Sequence, residues 1–157
     1  MRVLRSTARR IQFLTAEAND LETELEILVA AVAPELLAEP GVGPISGAQI
    51  LNAWSHPGRI RSEAAFGMLS GTAPIPASSG QTIRYRLNRS GDRQLNRALH
   101  TIVLSRMRFH AETRAYVQRR TAEGRTPRQI KRCLKRYVAR SLFRTLKATT
   151  AKIQQAA

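Results

Sequence analysis

Acidic residues are scarce over most of this sequence. Between residues 40 and 157 there are only four, Glu63, Asp92, Glu112 and Glu123, and they lie far apart along the chain. A two-metal nuclease needs several carboxylates that converge on one point. The three histidines do not have metal-ligand spacing either. We therefore expect no metal site and no cofactor held by these residues.

Cysteine, aromatic residues and long apolar runs are scarce as well. Cys133 is the only cysteine, so no intramolecular disulfide can form, as is typical of a reducing compartment. Its helical spacing predicts that it faces the core. Aromatic residues make up 5% of the chain, which argues against extended platforms for stacking bases. No apolar run approaches the length of a membrane span. These absences predict a soluble cytoplasmic protein.

Basic charge is abundant, and it is unevenly placed. The chain has 26 Lys and Arg against 11 Asp and Glu, a formal net charge of +15. Residues 1–39 hold four basic and seven acidic residues, whereas residues 40–157 hold 22 basic and four acidic ones. Self-repulsion of this size destabilises a fold unless a polyanion screens it. Nucleic acid is therefore the expected partner. The excess of Arg over Lys has two equally good explanations, phosphate binding by the guanidinium group and a GC-rich genome. A GC-rich genome does not explain the net charge.

Residues 7–33 are predicted to form a long helix with a coiled-coil stripe. Apolar residues alternate at spacings of three and four, and acidic residues occupy much of the remaining surface. The stripe comprises Ile11, Leu14, Ala18, Leu21, Leu25, Leu28 and Val32. This pattern favours a partner helix, in cis or from another chain, and thus a homo-oligomer. An amphipathic helix lying on its own domain is the alternative.

Residues 36–53 have the pattern of a helix-hairpin-helix. Two short apolar segments flank Pro40-Gly41-Val42-Gly43-Pro44, in which the glycines permit a tight turn. Backbone N–H groups at such a turn and at the following helix N-terminus make an anion cradle. Gly41 and Gly43 are therefore candidate phosphate-binding positions. An ordinary turn between two helices is the alternative.

The remaining chain predicts a mainly α fold with a small β hairpin. Ser62 resembles an N-cap, residues 72–80 a loop, and residues 81–87 a short strand or hairpin arm with a basic face. Further helices follow the turn at 88–92, around 112–122, and from 127 to about 150. The last helix has the inward-facing residues Ile130, Leu134, Tyr137, Val138, Leu142 and Leu146. We expect a coiled-coil helix at 1–35, one domain at 36–150 ending in a C-terminal helical bundle, and a tail at 151–157.

Two clusters of basic residues are candidates for holding nucleic acid. The first follows Ser78-Ser79-Gly80, and the second lies on the last helix. Together they comprise Arg84, Arg86, Arg89, Arg93, Lys131, Arg132, Lys135 and Arg136. A serine hydroxyl attacks a phosphodiester only if positive groups take up the charge that develops on the phosphate. On these residues alone, an inert Ser-Ser-Gly loop is the commoner case.

From Pro40 to about Leu146 the sequence resembles the C-terminal transposase domain of the insertion sequence one-ten family, which includes the one-sixteen and eleven-eleven groups. These transposases are bridge-RNA-guided recombinases. The segments that carry the resemblance, in chain order, are Pro40–Pro44, Arg61–Phe66, Gly71–Pro74, Ser79–Gly80, Asn88–Arg93 and Leu134–Arg140. Residues 7–33 are similar in position to the coiled coil that precedes this domain.

The resemblance implies specific roles. Ser79 matches the serine that attacks DNA, with Ser78 as the neighbouring alternative. DNA is the implied substrate, and a guide RNA is a further implied partner. Magnesium is implied only for the family's RuvC-like N-terminal domain, which nothing in this sequence matches. We therefore expect a truncated form or fragment that is inactive alone. The alternatives are a non-catalytic module that binds DNA or structured RNA, and an inactive transposase remnant.

Overall fold

The computed structural model describes residues 1–82 and 85–156, with Ala156 described for its backbone alone. Within these residues it is mainly helical, with one two-stranded antiparallel sheet, which confirms the predicted fold class. The helices are α1 (Arg2–Val32), α2 (Pro34–Leu37), α3 (Pro44–Trp54), α4 (Glu63–Leu69), α5 (Arg93–Phe109), α6 (Ala111–Ala122) and α7 (Pro127–Ala156). None of the helices in the described part of the chain has the length and apolarity to cross a membrane.

Helix α1 extends away from the rest of the chain. It begins at Arg2, five residues before the predicted start, and ends ahead of Pro34, which opens α2. Of its residues only Val29 is buried, and its side chain packs on Gly47 of α3 so closely that a Cβ there would lie 3.1 Å from Val29 Cγ1. The alternative of a helix lying along its own domain is therefore wrong, because nearly all of its apolar stripe is exposed.

Local chemistry sets the helix starts. Ser62 Oγ accepts a hydrogen bond from the Ala65 N–H at 3.1 Å, which confirms the predicted N-cap of α4. At α7, the Thr126 N–H donates to Gln129 Oε1 at 2.9 Å, and the Gln129 N–H donates to Thr126 Oγ1. This reciprocal pair satisfies two N–H groups that would otherwise lack a partner at the helix start. Helix α7 continues to Ala156, past its predicted end near residue 150.

The core lies where α3, α4, α5 and α7 meet. Trp54, Phe66 and Phe143 form an aromatic cluster with ring centroids 5.7–6.2 Å apart. The buried residues that α5 contributes are Leu95, Ala98, Leu99, Ile102 and Val103. Most residues of α7 that were predicted to face inward are buried. The prediction for Tyr137 is wrong, because its side chain is 55% exposed. Phe143, which the periodicity did not single out, is buried in the aromatic cluster.

The sheet is a short hairpin. Strand β1 (Ile75–Pro76) pairs antiparallel with β2 (Tyr85–Arg86), with Ile75 opposite Arg86 and Pro76 opposite Tyr85. The expected loop at 72–80 thus contains a two-residue strand. Pro76 is tolerated there because both strands of a two-stranded sheet are edge strands. The hairpin at 81–87 was predicted, and Tyr85–Arg86 is the part of it that the structure describes as a strand.

Candidate nucleic-acid interface

A groove of about 1020 Å³ is the principal basic feature of the described residues. Its walls come from residues 71–74 and 85–93, the start of α5, the end of α6 and the first turns of α7. The basic residues that line it are Arg86, Arg89, Arg93, Arg120, Arg125, Arg128, Lys131, Arg132, Lys135 and Arg136. One carboxylate, Asp92, stands among them. Low-dielectric walls lined by charges of one sign focus the field and attract polyanions.

Helix α7 builds one wall because its two faces differ. Ile130, Leu134 and Val138 are buried and fix the helix against the core. The first turns of α7 therefore line the groove, and Arg128 and Arg132 lie four residues apart on its exposed side. Periodicity alone placed basic residues on this surface, but it did not indicate that they border a groove.

The opposite wall is held by a polar segment that follows β2. Asn88 is buried, its side-chain amide donates to the Met68 carbonyl at 3.2 Å, and its Oδ1 accepts from Ser90 N at 2.9 Å. Gly91 has φ +103°, and a Cβ there would lie 2.3 Å from the Leu69 carbonyl oxygen. Only glycine allows this close approach. The segment is thereby fixed on the end of α4, which places Arg89 and Arg93 at the groove.

Lys135 ties the two sides of the groove together. Its Nζ donates to Asn96 Oδ1 at 2.9 Å and to the Asn96 carbonyl at 3.2 Å. The Asn96 amide in turn donates to the Ser70 carbonyl at 2.6 Å. Burial lowers the pKa of Lys135 below its ordinary value. This lysine therefore serves the architecture of the groove as well as its charge.

His100 lines the groove, and its surroundings lower its pKa. Burial is the main cause that lowers the pKa of His100, and the charges of Lys135 and Lys131 lower it further. The imidazole is thus biased toward its neutral form in the groove. An anion bound beside it would reverse the second effect.

Cys133 also lines the groove, which corrects the prediction that it faces the core. It is half-buried, and Arg136 Nη2 donates to its sulfur at 3.4 Å. The prediction was wrong because Leu134 and Ile130 occupy the inward face of α7, which leaves residue 133 at the boundary between core and groove. The single cysteine of the chain is therefore a ready chemical reporter of this groove.

Three of the four acidic residues after residue 40 have structural partners. Glu63 pairs with Arg140 at 2.9 Å, and Glu123 pairs with Arg120. Asp92 caps α5 by accepting from the N–H groups of residues 94 and 95 at 2.7 and 3.0 Å. In the part of the chain that the structure describes, no three His, Cys, Asp or Glu side chains are grouped to hold a metal ion. This donor set does not fit a magnesium site.

The structure brings most of the predicted basic residues to one place. Arg86, Arg89, Arg93, Lys131, Arg132, Lys135 and Arg136 all line the groove, although residues 93 and 131, where the two segments come nearest in sequence, are 38 positions apart. Arg84 lies outside the described residues. Arg120, Arg125 and Arg128 were missed as site residues. The sequence signal that could have identified them is their spacing: Arg120 lies near the end of α6, Arg125 in the turn, and Arg128 at the start of α7.

Gly41 and Gly43 lie elsewhere, Gly41 against α5 and Gly43 at the start of α3. Gly41 has φ +79°, and a Cβ there would lie 3.1 Å from the Ile102 carbonyl oxygen. The Gly43 N–H donates to Ser46 Oγ at 3.0 Å. Arg106 holds this turn by donating from Nε to the Pro40 carbonyl at 2.6 Å. The two short helices and the turn between them are present, but neither glycine lines the groove.

Ser79 lies at the tip of the hairpin. Its N–H donates to the Thr82 carbonyl at 3.3 Å, and the Thr82 N–H donates back at 3.2 Å. Gly80 follows with φ +56°, and the tip is exposed. Ser79 does not line the groove; Tyr85 and Arg86, at the base of the same hairpin, do.

Comparison with known proteins defines the class first. Residues 33–118, more than half of the chain, match the family model of the transposase IS116/IS110/IS902 family, so that this domain is of the transposase class. The chain is also 29% identical over 151 residues to the "Insertion element IS110 uncharacterized 43.6 kDa protein" of Streptomyces coelicolor. That alignment covers 94% of this chain and 37% of the relative. The chain belongs to the transposase IS116/IS110/IS902 family.

Proposed function

We propose that this chain is the DNA-binding part of a transposase and that its basic groove holds the phosphate backbone. The observation that carries the proposal is the convergence of ten basic side chains, from three separate segments, on one groove in a transposase-family chain. Arginine in particular grips phosphate through two parallel N–H groups. Contacts between side chains and the phosphates position nucleic acid without reading its sequence. Target choice by a paired guide RNA is compatible with such a groove.

The reactivity of Cys133 tests where nucleic acid binds. A neutral maleimide should alkylate the thiol several-fold more slowly when duplex DNA is bound, because the groove is then covered. The matched control is Cys133→Ser/Ala148→Cys, which moves the thiol to an exposed position of α7 outside the groove. Its alkylation should not change with DNA. Equal protection of both thiols, or of neither, would contradict binding in the groove.

Ser79 is the proposed nucleophile. Its Oγ would lose its proton and bond to a DNA phosphorus, while the bond from phosphorus to one sugar oxygen breaks and that oxygen leaves as a hydroxyl. The hairpin supports this role because it presents Ser79 at an exposed tip whose base, at Tyr85 and Arg86, borders the groove. The carboxylates described above do not build a metal site, so magnesium chemistry would come from a RuvC-like domain outside these residues.

A complementation assay tests the chemistry. The chain is mixed with a full-length relative whose own nucleophilic serine is changed to Ala, and strand transfer is measured. We expect rescue by the unaltered chain, with a trapped protein–DNA adduct, and loss of both with Ser79→Ala. Ser78→Ala is the control. Rescue that survives Ser79→Ala would rule out this serine.

A non-catalytic module is the second candidate, and one observation favours it. Ser79 and the groove do not touch, so phosphate held in the groove is not held at the serine. Binding of DNA or structured RNA without any adduct, in the presence of an active full-length relative, would decide for this candidate. The chain spans 37% of the length of the Streptomyces coelicolor relative.

We also propose that the chain self-associates through α1. The exposed apolar stripe of this helix supports it, because an isolated stripe of this length gains stability by covering it with a second helix. Light scattering at micromolar concentration measures the state directly, and a monomer there would count against it.

A further inference from the structure

The apolar stripe of α1 is longer than the sequence pattern indicated. Because the helix begins at Arg2, the alternation of three and four extends back through Thr7 to Leu4. Leu4 is 70% exposed, Ile11 59%, Leu21 54% and Leu28 63%. The stripe thus runs along almost the entire helix, and the domain leaves it largely uncovered because it packs on Val29, which lies beside the stripe.

Charge is divided along the same helix. Residues 1–10 carry four arginines and no acid, whereas residues 17–26 carry five acids and no base. Two such helices side by side in parallel would place arginines beside arginines and acids beside acids. Two antiparallel helices would place the basic end of each beside the acidic segment of the other. Residues that flank the apolar seam set the orientation of coiled coils in this way.

The register follows from the same residues. In heptad terms Leu4, Ile11, Ala18 and Leu25 are a positions, and Thr7, Leu14, Leu21 and Leu28 are d positions. Antiparallel packing pairs a with d, and two alignments one heptad apart do so along most of the stripe. The first has the layers Leu4–Leu28, Thr7–Leu25, Ile11–Leu21 and Leu14–Ala18, each of which occurs twice by symmetry.

Flanking charges distinguish the two alignments. The flanking g positions of antiparallel helices face each other. In the first alignment Arg10 faces Glu24 of the partner subunit, and this attractive pair occurs twice, against one contact between the two copies of Glu17. In the second alignment, which pairs Ile11 with Leu28 and Ala18 with Leu21, Glu17 faces Glu24 of the partner subunit twice, and both contacts are repulsive. Like charges at such positions are destabilising.

We infer that two copies of this chain pair through α1 as an antiparallel coiled coil, with Arg10 beside Glu24 of the partner subunit. The inference rests on the self-association proposed above and is independent of the groove. Val29 anchors each domain near one end of α1, so the two domains stand at opposite ends of the rod. The anchors are about 40 Å apart along the axis at ~1.5 Å per residue. A two-fold pair of basic grooves results, rather than two grooves side by side.

Disulfide cross-linking tests the orientation. Cys133→Ser removes the native thiol, and Leu14→Cys and Ala18→Cys are then made in separate chains. A disulfide needs Cα atoms within about 7 Å, which the 14–18 layer provides and a 14–14 or 18–18 contact does not. We expect little cross-linking of either variant alone and efficient cross-linking of the mixture. Homotypic cross-linking would show a parallel pair, and no cross-linking in a confirmed dimer would show another alignment; either result overturns the inference.

Charge reversal tests the register. Arg10→Glu and Glu24→Arg should each weaken the dimer about tenfold, because each turns two attractive contacts into repulsive ones. The double variant should regain most of the affinity. Arg9→Glu, which changes charge by the same amount on the outward face, is the matched control and should weaken it much less. Failure of the double variant to recover would refute the Arg10–Glu24 contact, whereas a monomeric unaltered chain would refute self-association itself.

Discussion

Arg128 and Arg132 offer the most direct quantitative test of the groove. They lie four residues apart on α7, both side chains are exposed, and both line the groove. Each phosphate contact that displaces a condensed counterion adds about −0.9 to the slope of log K against log salt for duplex DNA. Replacing both arginines with glutamine should therefore make that slope shallower by about 1.8.

The same argument gives an affinity. If counterion release is the main term lost, the double variant binds about 60-fold more weakly at 0.1 M salt, and the difference disappears toward 1 M. The assay is fluorescence anisotropy of labelled duplex DNA over a range of salt concentrations. Helical content should not change, because neither side chain is buried.

A control of equal charge separates a groove from a diffuse field. Arg114→Gln/Lys147→Gln also removes two exposed basic residues from helices, but neither residue lines the groove. It should change the slope by much less than the groove variant. If both double variants reduce the slope equally, DNA responds to the net charge of +15 and not to this groove, and the reasoning fails.

Three further predictions follow from the geometry. Gly91→Ala should lower the free energy of unfolding by about 2 kcal/mol or more, because φ is +103° and the added Cβ would lie 2.3 Å from a carbonyl oxygen of α4. Gly80→Ala is the control: its position is open to solvent, and it should cost about 1 kcal/mol or less. Chemical denaturation measures both. Glu39→Ala should cost about 3 kcal/mol, because it leaves Arg106 without the carboxylate 2.9 Å away; a change under 1 kcal/mol would show that the pair contributes little. Because the pKa of His100 is lowered in the fold, the unfolded chain takes up its proton first as pH falls below the ordinary value of 6.5. Stability should therefore decline below that pH, and less so in His100→Gln, as unfolding midpoints between about pH 5 and 8 would reveal.

Much of this fold is local and could be predicted from the sequence. The N-caps at Ser62 and Asp92, the proline that opens α7, and the glycines at the turns each act within a few residues. The helix positions therefore follow from short-range hydrogen bonding and φ preferences, apart from ends that shift by several residues. The basic character of the chain after residue 40 is likewise a property of composition.

The groove could not be predicted in the same way. Arg89 and Arg132 line the same groove because of two contacts between distant parts of the chain. Gly91 lets the segment after β2 approach α4, and Lys135 joins α7 to Asn96 of α5. Both contacts span at least 20 residues, and periodicity describes one element at a time. The same limit explains Cys133, whose side of α7 was decided by which neighbouring residues the core accepted.

The sequence by itself determined that this chain is helical, strongly basic after residue 40 and similar to a transposase domain, since these depend on composition, local spacing and motif order. Tertiary structure alone decided which basic residues share a groove, that Gly41 packs on α5, and that Ser79 stands apart at a hairpin tip. It also decided that the stripe of α1 is left uncovered by its own domain. The physical reason is that contacts between distant segments depend on close packing and hydrogen bonds across elements, which no window along the chain contains.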